Sequence, residues 1–226
     1  VCGRFALFAS PELLAEYFAL ADVPKGSLAP HYNLTPGQDV AAVRVDRGDG
    51  RRLHALRWGL VPFWAKDASI GRRLINARLD GLKDKPAFRE ALARRRCLIP
   101  ASGFYEWGVD AAGNKQPYFV HARSEPLLAL AGLWERWRGT GDGEPLETCV
   151  IVTTDAAPLL APIHDRMPVM LTRAAQDVWL DATTDVAMIA DLAARGPELE
   201  TWPVGGAVND PRNDDARLIA PKTAHG

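Results

Sequence analysis

"CLIPASGFYEW" at 97–107 decides how this chain folds, because it opens a run of apolar and aromatic stretches that continues with "QPYFVHA" at 116–122, "PLLALAGLWE" at 126–135 and "TCVIVTT" at 148–154. Each is short and largely apolar, and the turn-rich segments 109–115 and 138–145 break up the run. That spacing predicts successive strands joined by turns, and so a central, curved, mainly antiparallel sheet. Upstream, "AAVRV" at 41–45 and "RLHALRWGLV" at 52–61 flank "DRGDG" and read as a hairpin.

Helices are expected outside this sheet. Ser10 is an N-cap ahead of Pro11 and the amphipathic run to Phe18. "DKPAFREALARRR" at 84–96 carries Pro86 early and a basic last turn that suits the helix dipole. "AAQDVWLD" and "DVAMIADLAAR" are the last helical stretches, stopped by Gly196-Pro197, and "ETWPVGGAVND" at 200–210 suggests a closing strand. Residues from about 211 to 226 are polar and aperiodic, so a loose tail is expected. The reading is an α+β chain forming one domain over 1–226, with strands gathered centrally.

Composition narrows the function. A 47% hydrophobic and 24% charged chain of 226 residues is an ordinary globular protein, long enough to bury a core. A net charge of −1 gives no field for gripping long duplex nucleic acid, so any such site is a local patch. Cys2, Cys97 and Cys149 lie far apart and odd in number, which argues against a metal site or a disulfide framework and for a reducing cytoplasm. No apolar run reaches 18 residues, so no membrane span is expected, and neither a metal nor a cofactor is expected from the motifs present.

Several short constellations carry chemistry. "CGRF" at 2–5 places a thiol beside the chain start. A start codon such as GTG is read as Met, and its removal would leave Cys2 as a 1,2-aminothiol, which condenses with an aldehyde through its amine and closes a thiazolidine ring through its thiol. The alternative is a small core residue. "INARLD" at 75–80 sets Asn76 and Arg78 on one face of an extended segment, as a ligand clamp or as a turn Asn beside a solvated Arg. Trp58 and Trp64 bracket Pro62 in "WGLVPFWAKD", to stack on unpaired bases or to pack the core, with at least one of them expected inside. Glu106, between Tyr105 and Trp107, is either a tuned acid/base or an edge-strand charge. His164, in the proline-framed "IHDRMPVML", is the best acid/base candidate among the five histidines. "YNLTPGQ" at 32–38 reads as a turn whose Pro36 could wedge against a base, and the arginines at 72, 73, 78, 89 and 94–96 could form a phosphate track.

Taken together, "CGRF", "YNLTP", "RWGLVPFWAKD", "INAR", "RRCLIPASGFYEW", "AGLWE", "IVTTDA" and "IHDRMPV" resemble the SOS-response-associated peptidase (SRAP) family, from residue 2 to about 210. The resemblance implies a barrel-like core flanked by helices. It also implies a protein that captures the ring-opened sugar aldehyde of an abasic site in single-stranded DNA as a thiazolidine on Cys2, with a self-directed peptidase step and secondary lyase activity. It would put Cys2, Asn76, Glu106 and His164 in one catalytic site, with Arg4 and Arg78 on phosphates, Trp64 and Pro36 against bases, and Thr153 or Thr154 nearby. A cytoplasmic monomer that joins the nucleoid on binding DNA is the corresponding expectation. Two departures stand out: Val1 occupies the family's Met position, and "LDG" follows "INAR" where a small residue and Glu are common, leaving Asp80 a shorter carboxylate. Other readings of the same residues are an N-terminal-cysteine amide hydrolase and a non-covalent single-strand binding module.

Overall fold

The computed structural model describes residues 2–22, 29–46, 48–139 and 143–222. Val1, Arg47 of the hairpin turn, residues 140–142 of the second turn segment and the last four residues lie outside these. In chain order the strands are β1 (Phe5–Leu7), β2 (Leu20–Asp22), β3 (His31–Leu34), β4 (Asp39–Asp46), β5 (Gly50–Trp58), β6 (Asn76–Arg78), β7 (Arg96–Ala101), β8 (Gly103–Val109), β9 (Lys115–Ala122), β10 (Leu128–Trp137), β11 (Leu146–Asp155), β12 (Arg166–Pro168), β13 (Met170–Leu171) and β14 (Leu199–Pro203). The helices are α1 (Pro11–Phe18), α2 (Pro86–Arg94), α3 (Arg173–Leu180) and α4 (Val186–Ala193). The chain is α+β, as expected.

Strand pairing runs from β5 to β4, β7, β10 and β11, and β11 returns to β5 through the parallel pairs Thr148↔Arg57 and Cys149↔Trp58. The five strands therefore close into a small barrel, a size that side chains alone can fill. Fully buried along its strands, on one face of the wall or the other, are Leu56, Trp58, Leu98, Ile99, Leu130, Leu133, Val150 and Val152. Each such side chain contributes up to about 1.5–3 kcal/mol relative to exposure. A second sheet, ordered β14-β9-β8-β1-β3, lies against it.

The 97–107 stretch links the two sheets. It is not one strand: β7 belongs to the barrel and β8 to the second sheet, with the break at Ser102. There Ser102 N–H donates to Ala6 O at 2.7 Å and its hydroxyl accepts from Phe8 N–H at 3.0 Å, which fastens β1 at the corner. At Gly103 a Cβ would sit 2.3 Å from the Phe119 ring, so the turn into β8 requires glycine. α1 begins at Ser10, whose hydroxyl accepts from Leu13 N–H at 3.2 Å.

The tail differs from expectation. Through Lys222 it is fastened rather than loose: Leu218 is buried, Val204 bridges Pro221, and Lys222 N–H donates to Pro203 O at 2.7 Å. Its apolar side chains are sparse but cover the outer aromatic face of the second sheet, beside Tyr105, Phe119 and Trp202. "ETWPVGGAVND" is strand only to Pro203 and then a 3-10 turn at Gly206–Asn209. "YNLTPGQ" likewise splits into β3 and a turn closed by Gln38 N–H on Thr35 O.

Candidate active site

The site is built where β1, β6 and β8 meet. Cys2 lies just before β1 and is fully buried. Antiparallel pairing of β1 with β8, Phe5↔Phe104 and Ala6↔Gly103, brings the start of the chain alongside Glu106. The Glu106 carboxylate accepts hydrogen bonds from the backbone N–H of Cys2 and of Trp107. β6 joins the barrel by parallel pairing with β11, Ile151↔Asn76, and from there Asn76 Nδ2 donates to the Cys2 carbonyl oxygen at 3.1 Å. Both sides of the Cys2 backbone are thus held by side chains from separate strands.

His164 reaches the same place from the 156–165 loop. Ile163 rests on Gly108, where a Cβ would stand 3.4 Å from the Ile163 Cα. Gly108 shares a face of β8 with Glu106, and the imidazole acts electrostatically on the Glu106 carboxyl. The loop is anchored by Arg166, which pairs with Asp155 at 3.1 Å and donates to Thr153 O at 3.0 Å. His164 Nδ1 lies 3.0 Å from the Arg166 backbone nitrogen, which holds the ring at that edge. The Asp165 carboxylate also stands 2.8 Å from Nδ1 and becomes an ion-pair partner when the ring is protonated.

Burial sets the electrostatics. It pushes the Glu106 carboxyl up from its ordinary value, opposed by His164 and the two N–H donors. It pushes the Cys2 thiol far up as well, with Glu106 adding to the rise, so the sulfur is held as S–H, accepting from Arg4 N–H. The arrangement offers a nitrogen, a thiol and a carboxyl that stays protonated to higher pH than a solvated one.

The remaining expected residues divide. Trp64 is 49% exposed and Phe63 beside it 56%, whereas Trp58 is buried, with Nε1 donating to Ile75 O at 2.9 Å. Gly59 accounts for this split: its φ of +131° and its contact with Gly71, whose O a Cβ would meet at 2.7 Å, turn the chain outward before Pro62. Pro36 lines a cleft of about 710 Å³ together with Arg57, Asp67, Ser69 and Arg72. Arg78 is exposed at the end of β6 and held in a fork by Asp80, at 3.1 and 2.8 Å.

One expectation is narrowed and two are corrected. Arg4 is half-buried, and its Nη1 donates to Asn33 Oδ1 at 2.8 Å and Val208 O at 2.7 Å, so both hydrogens of that nitrogen are used inside the protein. Thr153 is buried, its hydroxyl accepting from Arg166 and directed at Ala77 O, because strand alternation puts the half-buried Thr154 on the accessible face instead. The arginine track is broken, since Arg96 is buried among carbonyls at the end of α3 and Arg94 and Arg95 pair with Glu90 and Glu135. Asn33 and Arg166 lie outside the expected catalytic and DNA-binding set; Asn33 is a hydrogen-bonding candidate within "YNLTPGQ", a stretch that reads better as a structural turn.

Among the described residues no three His, Cys, Asp or Glu side chains gather as a metal site, and no helix is long and apolar enough to cross a membrane. The chain matches the family model described as SOS response associated peptidase (SRAP) over residues 1–211. Over 223 residues it is 41% identical to the abasic site processing protein YoqW of Bacillus subtilis, covering 97% of this chain and 99% of that one. It is 31% identical over 263 residues to the abasic site processing protein HMCES of Gallus gallus, covering 98% and 78%. A crystal structure of a Bacteroides thetaiotaomicron protein superposes with a TM-score of 0.84 at 27% identity, covering 98% of this chain and all of that one. With this family model spanning nearly the whole length, and the same barrel and second sheet beneath it, the chain belongs to the SOS response associated peptidase (SRAP) family.

Proposed function

We propose that the protein processes abasic sites in single-stranded DNA by capturing the sugar aldehyde on Cys2 after residue 1 is removed. The observation that carries this reading is the Glu106 carboxylate in hydrogen-bond contact with the Cys2 nitrogen, while Asn76 holds the Cys2 carbonyl at 3.1 Å. Once residue 1 has left, that nitrogen is a primary amine with an acid/base group already in place. Before it has left, the same carboxyl stands at the leaving nitrogen of the peptide bond that must break, which supports self-directed cleavage.

The capture chemistry balances without a cofactor. The amine adds to the C1′ aldehyde of the ring-opened sugar, and the resulting carbinolamine loses one water to give an imine. Cys2 S–H then adds across the C=N bond, sulfur to carbon and hydrogen to nitrogen, closing the thiazolidine. A thiol kept protonated by burial suits this last step, because it brings the proton that the nitrogen needs. His164, its ring held at Nδ1 by the Arg166 backbone and the Asp165 carboxylate, serves ring opening of the deoxyribose. The imine stage also opens a route to strand cleavage, so weak lyase activity accompanies capture. Trp64 and Pro36 meet neighbouring bases and Arg78 a phosphate.

The test is an adduct that survives denaturation. Mixed with a single-stranded oligonucleotide bearing one abasic site, the protein is expected to give a band resistant to heat and detergent, and Cys2→Ala none. A complex that dissociates in detergent for both proteins would leave only reversible binding.

A further inference from the structure

The catalytic residues do not account for one buried polar assembly on the other side of Arg4. Asn33, on β3, is 2% exposed, and both the oxygen and the nitrogen of its side-chain amide are hydrogen-bonded. Its Nδ2 donates to Asn213 O at 2.7 Å and Asp210 O at 3.1 Å, and its Oδ1 accepts from Arg4 at 2.8 Å. The second Nη1 hydrogen of Arg4 goes to Val208 O at 2.7 Å. Three carbonyls of one C-terminal loop are therefore gripped by two side chains rooted in β3 and beside β1. The loop is fastened again by Asp214, whose carboxylate accepts from Tyr32 N–H and contacts His31 at 2.8 Å.

The same loop reaches the other half of the site. Asn209 Oδ1 accepts from Trp107 Nε1 at 2.8 Å, and the Arg4 guanidinium lies 5.8 Å from the Trp107 ring centroid. Trp107 follows Glu106 directly, and Arg4 touches the nucleophile through its backbone, N–H to the Cys2 sulfur and C=O to Tyr105 N–H at 2.9 Å. We propose that residues 208–214, held by Asn33, form a positioning clamp that fixes Cys2 and Glu106 relative to each other. Asn33 and Asn209 are positioning residues: neither touches the reacting atoms, and both act through Arg4 and Trp107. The clamp rests on the proposed aldehyde capture for its purpose, but its mechanical effect on Cys2 can be read without DNA.

The three cysteines supply that reading. All are buried and free, so alkylation by iodoacetamide reports which part of the molecule opens. Asn33→Ala and the milder Asn209→Ala, at an exposed position, are compared with the parent by peptide mass spectrometry, alongside thermal unfolding. The expected result is Cys2 alkylated at least about tenfold faster in both variants while Cys97 and Cys149 stay protected, with adduct formation at saturating oligonucleotide slowed by about ten- to a hundredfold, the cost of misplacing reacting groups by an ångström. Affinity for a non-reactive tetrahydrofuran-site oligonucleotide is expected to hold. All three cysteines opening together would overturn the proposal by making the assembly a general stabiliser. Unchanged Cys2 alkylation in both variants would overturn it as well. A parent protein that forms no adduct refutes aldehyde capture instead, and the alkylation pattern still decides the clamp.

Discussion

Trp58 and Trp64 sit in one motif on either side of Pro62 and are expected to respond oppositely to truncation. Trp58 is 1% exposed, lies 5.2 Å from the Phe5 ring centroid and donates to Ile75 O. Trp58→Ala therefore removes a core aromatic and one of the two hydrogen bonds to Ile75 O, at a cost of about 3–5 kcal/mol of folding stability. Trp64 is 49% exposed, so its truncation is expected to change stability by no more than about 0.5 kcal/mol. If it stacks on a base, the loss is about 1–3 kcal/mol of binding. At 1.4 kcal/mol per decade that is roughly a 5- to 150-fold rise in Kd. The assay is fluorescence anisotropy with a labelled single strand carrying a tetrahydrofuran site, which has no aldehyde and keeps binding reversible, paired with thermal unfolding. Trp64→Phe keeps a π face and is expected to recover most of the affinity. A Trp64→Ala protein within about twofold of the parent Kd would refute the stacking role, and one that unfolds as Trp58→Ala does would refute the division between core and surface.

Two further outcomes follow from the site's electrostatics. Because burial raises the folded-state value of Glu106, its ionisation costs stability in the native chain. That cost is absent below the unfolded value of about 4.3 and grows as pH rises toward the raised folded value. Glu106→Gln should then abolish the adduct yet raise Tm at neutral pH, a gain that shrinks as the solution is acidified; a Tm difference independent of pH would contradict this. Asp80→Asn releases Arg78 from its fork and removes a negative charge, so single-strand binding should tighten and the slope of log K against log salt steepen by about 0.7 for one added phosphate contact. If neither Asp80→Asn nor Arg78→Ala moves that slope, Arg78 does not meet a phosphate.

Much of the framework was legible because its signals are local. Ser10-Pro11 and the periodicity to Phe18 specify α1, and turn residues between apolar runs specify the β4–β5 hairpin and the strands from β7 to β11. What the sequence left hidden depends on contacts between distant segments. Nothing local separates one long strand at 97–107 from two in different sheets, since the corner at Ser102 is set by the carbonyl of Ala6 and the ring of Phe119. The tail looked unstructured because few apolar residues suffice to cover an aromatic face already made by β8, β9 and β14. Thr153 was misplaced for the same reason: the resemblance set a threonine near the pocket, while the partner that turns its hydroxyl inward, Arg166, lies across a loop.

The central claim is that the Cys2 nitrogen, freed of residue 1 and served by Glu106, becomes covalently joined to an abasic sugar. The most direct test is the intact mass of the protein after mixing with a single-stranded oligonucleotide bearing one abasic site. The predicted species is the chain beginning at Cys2 plus the oligonucleotide minus one water, the single water lost in forming the thiazolidine. A protein whose terminus is Cys2 but whose mass stays unchanged would contradict the account.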